Sequence, residues 1–227
     1  MAIVKGNVLG NLSGRLGNLS ARTIEGRTIL AARPSSFNAS QDPAVIEIRK
    51  KFSVTGNFIK VLLTLSALYE IWKKVKTAGM TVYNYTFKNN FAYSSAAKPT
   101  DQNIITPGGF ALPVQTATVE ADNVSVELLA LNTASVFTPE EVNLSANGVI
   151  CYFNPINPED PAYQITSLNA ELPAYNFTQP FTVVIALNVL QQAVAAKYQN
   201  SILFFIVASK NAEGKIVQYS ATYTKNS

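Results

Sequence analysis

The stretch Lys98-Pro99-Thr100-Asp101-Gln102-Asn103-Ile104-Ile105-Thr106-Pro107-Gly108-Gly109 divides the chain into two kinds of sequence. Ahead of it apolar residues recur at helical spacing, and behind it they alternate with polar ones. Seven strand-like runs follow: Pro113 to Ala121, Val124 to Leu131, Val149 to Phe153, Ile165 to Leu172, Phe181 to Leu187, Ser201 to Ala208 and Lys215 to Tyr223. Turn residues separate them, as in Asn154-Pro155, Asn157-Pro158 and Asn211-Ala212-Glu213-Gly214. Seven short strands in a segment of this length predict an immunoglobulin-like antiparallel β-sandwich, without the Cys-Trp-Cys core of antibody domains. Leu190 to Tyr198 reads as a short helix between two of the strands.

Upstream, Asp42-Pro43 combines a side-chain cap with proline at a first helical position. The apolar residues from Val45 to Val75 predict helices over about 43–53 and 57–77, with Gly56-Asn57 as the break. Lys73, Lys74 and Lys76 fall in the last turn, where positive charge complements exposed carbonyls. Met80 to Tyr93 is aromatic and reads as a third helix. The first forty residues are glycine-rich, and Arg15 to Ile24 and Arg27 to Arg33 alternate around Glu25-Gly26, the pattern of a β-hairpin. The expected fold is therefore α+β in three parts: a glycine-rich arm and hairpin at 1–41, a helical segment at 42–98 and the sandwich at 99–227.

Composition narrows the chemistry. The 227 residues, 24.6 kDa, are 48% apolar and supply a core, while only 14% are charged against about 25% in typical soluble domains. A surface so poor in charge suits a subunit partly covered by partners. There is no histidine and one cysteine, Cys151, so histidine-dependent catalysis and Cys/His zinc sites are excluded. Neither GxGxxG nor a Walker sequence occurs, and no cofactor is expected. Glu140-Glu141 and Glu159-Asp160 are close acidic pairs in proline-rich stretches and read as solvated turns. Cys151, in an apolar run, reads as buried packing. The chain opens without a secretory pattern, and the apolar run Val61 to Tyr69 is too short to span a bilayer, so synthesis in the cytoplasm and no membrane partner are expected.

Charge is divided unevenly. Residues 1–100 carry 14 Lys/Arg and 4 Asp/Glu, net +10, and residues 101–227 carry 4 and 10, net −6. Such a molecule can be steered end to face against a copy of itself. Arg15, Arg22, Arg27 and Arg33 in the hairpin, Arg49, Lys50 and Lys51 on the first helix, and Lys73, Lys74 and Lys76 on the second are the candidate assembly residues. Nucleic acid is the alternative ligand for these cations, through phosphate contacts, and is less favoured because no recognition motif surrounds them. Tyr83, Tyr85, Phe87, Phe91 and Tyr93 fit core or interface packing, or a platform for carbohydrate or base stacking.

The opening Gly6-Asn7-Val8-Leu9-Gly10-Asn11-Leu12-Ser13-Gly14-Arg15-Leu16-Gly17-Asn18 resembles that of an uncharacterised family encoded by Bacteroidota and their phages, whose signature is G-x-L-G-x-x-S-G-[KR]-x-G, with Gly6 one residue early. Tyr152-Phe153-Asn154-Pro155 and the stretch Phe205 to Val217 are similar to that family's last strands, and the segment Val189 to Asn200 departs from it. The resemblance implies a glycine-rich hairpin, a helical segment and an Ig-like domain. It implies a virion structural protein of a tailed, crAss-like phage, without enzyme activity. On that expectation the chain forms a homo-oligomeric ring at the head–tail junction or in the tail, or attaches to the capsid. Its partners are then portal, capsid or adjacent ring proteins. A nucleic-acid-binding accessory protein and a glycan-binding adhesion module are the alternatives.

Overall fold

The computed structural model describes residues 2–4, 12–24, 26–33, 36 and 39–227. The glycine-rich stretch 5–11, Glu25 of the hairpin turn, and Pro34, Ser35, Phe37 and Asn38 of the expected loop lie outside the described residues. The fold is α+β, with antiparallel sheets, and divides into two compact units, 1–46 with 77–79, and 47–76 with 80–227.

In the first unit β1 (Ala2–Val4), β2 (Gly14–Leu16), β3 (Leu19–Ile24) and β4 (Arg27–Ala32) form one sheet in the order β1-β4-β3-β2. The expected hairpin is β3 and β4, paired from Leu19 with Ala32 to Ile24 with Arg27. Its first arm is two strands, because Gly17 takes a φ of +57° and turns the chain at Gly17-Asn18.

The second unit is layered. Helix α1 (Pro43–Leu62), which begins in the first unit, and α2 (Ser66–Val75) and α3 (Val82–Asn90) cover one side of a sheet ordered β11-β10-β7-β8, with β12 also on β10. These strands are β7 (Asn143–Pro155), β8 (Tyr163–Leu172), β10 (Tyr198–Lys210), β11 (Ile216–Tyr219) and β12 (Tyr223–Asn226). On its other side lies a three-stranded sheet, β5-β6-β9, made of β5 (Val114–Val119), β6 (Asn123–Leu128) and β9 (Phe181–Ala186). Helix α4 (Val189–Ala195) precedes β10, and Asn188 and Gln191 cap it reciprocally.

Both faces of β7 and β10 are covered, which accounts for the unbroken buried runs Leu144 to Tyr152 and Ser201 to Ser209. Side chains alternate: Leu144, Ile150, Leu203 and Phe205 enter the core between the sheets, and Val149, Cys151, Ile202 and Phe204 enter the core under the helices. Phe58 of α1 meets Phe204 edge to face at 5.1 Å, with both side chains fully buried. Trp72 of α2 is also fully buried, and its indole N–H donates to the Ile105 carbonyl at 2.9 Å. The helices and the β strands therefore share a core, and the expected boundary between 42–98 and 99–227 runs through this unit.

Two further expectations need correction. Helix α1 passes through Gly56-Asn57, and the break falls at Leu63 to Leu65, where the axis of α2 departs by 111°. Gly56 is there for room: a Cβ on it would stand 3.1 Å from the Tyr83 hydroxyl, so the residue admits α3 rather than ending α1. The run Lys215 to Tyr223 divides into β11 and β12 where residues 105–110 cross it. Phe110 bonds to Tyr219 and Ala221 through the backbone, and Thr106 Oγ1 donates to the Ser220 carbonyl. Gly109 is confined to glycine by both its φ of +119° and the Tyr219 carbonyl, which an added Cβ would overlap at 2.3 Å. No single helix among the described residues is long and apolar enough to cross a membrane.

Candidate assembly face

Helix α1 carries an apolar strip that the core does not use. Ile48 and Phe52, one turn apart, are each 58% exposed. Phe52 lies 4.5 Å from Phe87 and 6.2 Å from Phe91 between ring centres, and Phe87 stacks on Phe91 at 5.6 Å and on Tyr83 at 6.1 Å. The spacing of 83, 87 and 91 along α3 and its C-cap produces that aromatic row, and α1 lays Phe52 across it. An exposed apolar strip of this kind marks an interaction surface more often than a solvated one.

Cations flank it. Arg49 and Lys88 are exposed, with Glu47 as the one acid on that part of α1, while Lys50, also exposed, projects from the opposite side of the helix. Lys51 is half-buried: its ammonium donates to the Ala92 carbonyl at 3.0 Å and sits 5.1 Å from the centre of the Phe91 ring. Lys51 thus fixes α1 against the end of α3, in addition to any contact outside the unit.

The other expected site residues lie elsewhere. In the first unit, the β2–β3–β4 register puts Arg15, Arg22 and Arg27 on one face of the sheet, all exposed, with Arg33 just beyond β4. In the second unit, Lys73 makes an exposed pair with Glu70 at 3.5 Å, worth about 0–1 kcal/mol. Lys74 donates to the Ile216 carbonyl at 2.7 Å and ties α2 to β11. Lys76 is the C-cap residue of α2.

The acidic pairs diverge. Glu159 is exposed and Asp160 pairs with Lys197 at 2.9 Å, as a turn pair would. Glu141 is 4% exposed, contrary to the reading of Glu140-Glu141 as solvated. Its carboxylate accepts from the Thr138 N–H at 2.8 Å, the Thr138 hydroxyl at 3.1 Å, the Gln218 amide at 3.1 Å and the Ser209 hydroxyl. Burial pushes its pKa up, but the hydrogen bonds from Ser209, Thr138 and Gln218 outweigh that and hold it below the ordinary glutamate value of 4.5. The signal in the sequence was the Thr-x-x-Glu spacing at 138–141, in which an acid reaches back to the backbone N–H three residues earlier.

A lowered pKa makes this bond set a source of stability that is complete above the unfolded value and is lost as pH falls through the folded one. Thermal melts at decreasing pH should therefore fall more steeply below pH 4.5 for the native chain than for Glu141→Gln, which does not titrate there. Equal slopes would reject the assignment.

Cys151 is fully buried, and burial pushes its thiol up to about 12 against a weaker opposing pull from Lys98. That environment suits packing and suppresses the thiolate. No group of three or more His, Cys, Asp or Glu that could hold a metal ion occurs among the described residues.

No protein-family model and no curated protein matches the sequence. Among solved structures the chain is similar to a β-glucosidase from Kluyveromyces marxianus in complex with glucose, at 15% identity and a TM-score of 0.20. It is also similar to the selenomethionine-labelled form of that enzyme, at 11% and 0.17. Each match covers 63% of this chain and 17% of the other. Likenesses at such scores carry no argument about this chain.

Proposed function

We propose that this chain is a structural subunit of a bacteriophage virion, in a ring of the tail or head–tail junction or on the capsid, which assembles through its basic N-terminal elements. The observation that carries the assembly reading is the Ile48–Phe52 strip, more than half exposed, set on an aromatic row and edged by Arg49 and Lys88. Leaving the exposed part of such side chains in water forgoes roughly 1–2 kcal/mol each, and a neighbouring subunit would recover it. The phage setting rests on the resemblance of residues 6–18 and of the last strands.

The sandwich is, on this reading, Ig-like. Its first, second and fifth strands form one sheet and its third, fourth, sixth, seventh and eighth form the other, which departs from the constant-type order in placing the fourth strand beside the third.

Mass photometry across a concentration series is the test. The native chain should give species that are multiples of 24.6 kDa, and Phe52→Asp, which alters a side chain 58% exposed, should return them to 24.6 kDa while the variant still melts cooperatively. A native chain that stays monomeric at every concentration, or assembles only when nucleic acid is added, would overturn the reading. Peptides of this chain should also be found in purified phage particles.

A further inference from the structure

We infer that the partner seated on the Ile48–Phe52 strip is a second copy of this chain, presenting the outer face of its three-stranded sheet. This deepens the assembly reading and rests on it. The inner face of that sheet is the core face, with Ala117, Val124, Val126 and Val183 buried. The strand register then sets Thr116, Glu127, Thr182, Ser125 and Val184 on the outer face.

That outer face is complementary to the strip in charge and in polarity. Glu127 accepts from Thr116 Oγ1 at 3.0 Å and stays on the surface, and Glu120 and Asp122 stand exposed in the β5–β6 turn. No lysine or arginine occurs in residues 113–128 or 181–188, so the face carries negative charge only. Midway along its edge strand β9 is Val184, 59% exposed, an apolar counterpart for Phe52.

The two faces cannot meet within one molecule. The helices cover one side of the five-stranded sheet and β5-β6-β9 covers the other, so the complementary surfaces belong to opposite outer layers of the same unit. Joined between copies they make a heterologous contact, which repeats from subunit to subunit and closes into a ring or runs on as a filament according to its rotation. The ion pairs at its rim set orientation and encounter rate, and the apolar centre holds the contact.

A charge exchange tests this. Arg49→Glu with Lys88→Glu makes the strip side acidic, and Glu120→Lys with Glu127→Lys makes the sheet side basic; all four side chains are on the surface. Each double variant alone should assemble at least tenfold less than the native chain at equal concentration, as read by sedimentation velocity. An equimolar mixture should regain assembly, because the acidic strip of one then faces the basic sheet of the other while the remaining pair of faces is native. Single preparations that assemble like the native chain, or a mixture that stays dispersed, would overturn the proposal while leaving the assembly reading standing. A native chain that does not assemble at all overturns both, and circular dichroism melts matching the native chain confirm that the variants are folded.

Discussion

A fragment of residues 99–227, expressed without the helices, is expected to aggregate or to lack a cooperative melt, although its sequence pattern is that of a complete sandwich. Removing α1, α2 and α3 exposes Val149, Cys151, Ile202, Phe204 and Ile206 on one face of the β7–β10 pair. At roughly 1.5–3 kcal/mol per buried apolar side chain, five such residues represent on the order of 10 kcal/mol. That is comparable with the whole net stability of a domain, about 5–15 kcal/mol. A fragment of residues 43–227 keeps the cover and should melt cooperatively by circular dichroism. A soluble monomeric 99–227 with a sharp transition would show that the helices are an appendage and that the shared core contributes little.

Phe58→Ala should destabilise the protein by about 3–5 kcal/mol, as measured by chemical denaturation. The residue is fully buried on α1, and its ring fills the space over Phe204 at 5.1 Å. Truncation leaves a cavity walled by the β10 sheet on one side and by helix backbone on the other, elements too rigid to collapse into it. Phe52→Ala, six residues earlier on the same helix, removes the same group from a site 58% exposed and should cost far less. The contrast separates core from exposed surface on one element; equal losses would place Phe52 in the core energetics.

What the sequence discloses follows from how far each signal depends on distant residues. Strand positions were legible because alternation is local: β5, β6, β8 and β9 lie within three residues of the expected runs. Strands β7 and β10 were underestimated at their ends. Ser145 and Asn147 fall outside the expected run, yet both are buried on β7, Asn147 donating to Ser145 and Ser145 to Glu171 on β8. Only a partner strand some twenty-five residues away makes that burial tolerable. Gly56 misled for the same reason, since the space it leaves is needed by Tyr83 and not by α1 itself.

The candidate site divides along similar lines. Arg49, Lys50 and Lys51 could be placed on a helix from periodicity, but Lys51 and Lys74 have carbonyl partners, on Ala92 and Ile216, that no pattern announces. Ile48 and Phe52 looked like core positions because they continue the apolar periodicity of α1. They share a face with Ile59 and Leu62, and their exposure arises because the buried residues of α1 run only from Val54 to Leu62, which leaves the N-terminal half of that face uncovered.

The layered core also sets a timetable. The helices are synthesised once residue 90 is made, whereas β10, which carries much of the face they cover, ends at Lys210. At about 5–20 residues per second the nascent chain displays Phe58, Trp72 and their neighbours for on the order of ten seconds before their cover exists. Residues 105–110 wait longer still, since their partners Tyr219 to Thr222 come near the end of the chain. A cell making many copies at once therefore holds a population of half-made chains with matching sticky helices, and the rate of synthesis, as much as the stability of the finished molecule, governs how many reach it.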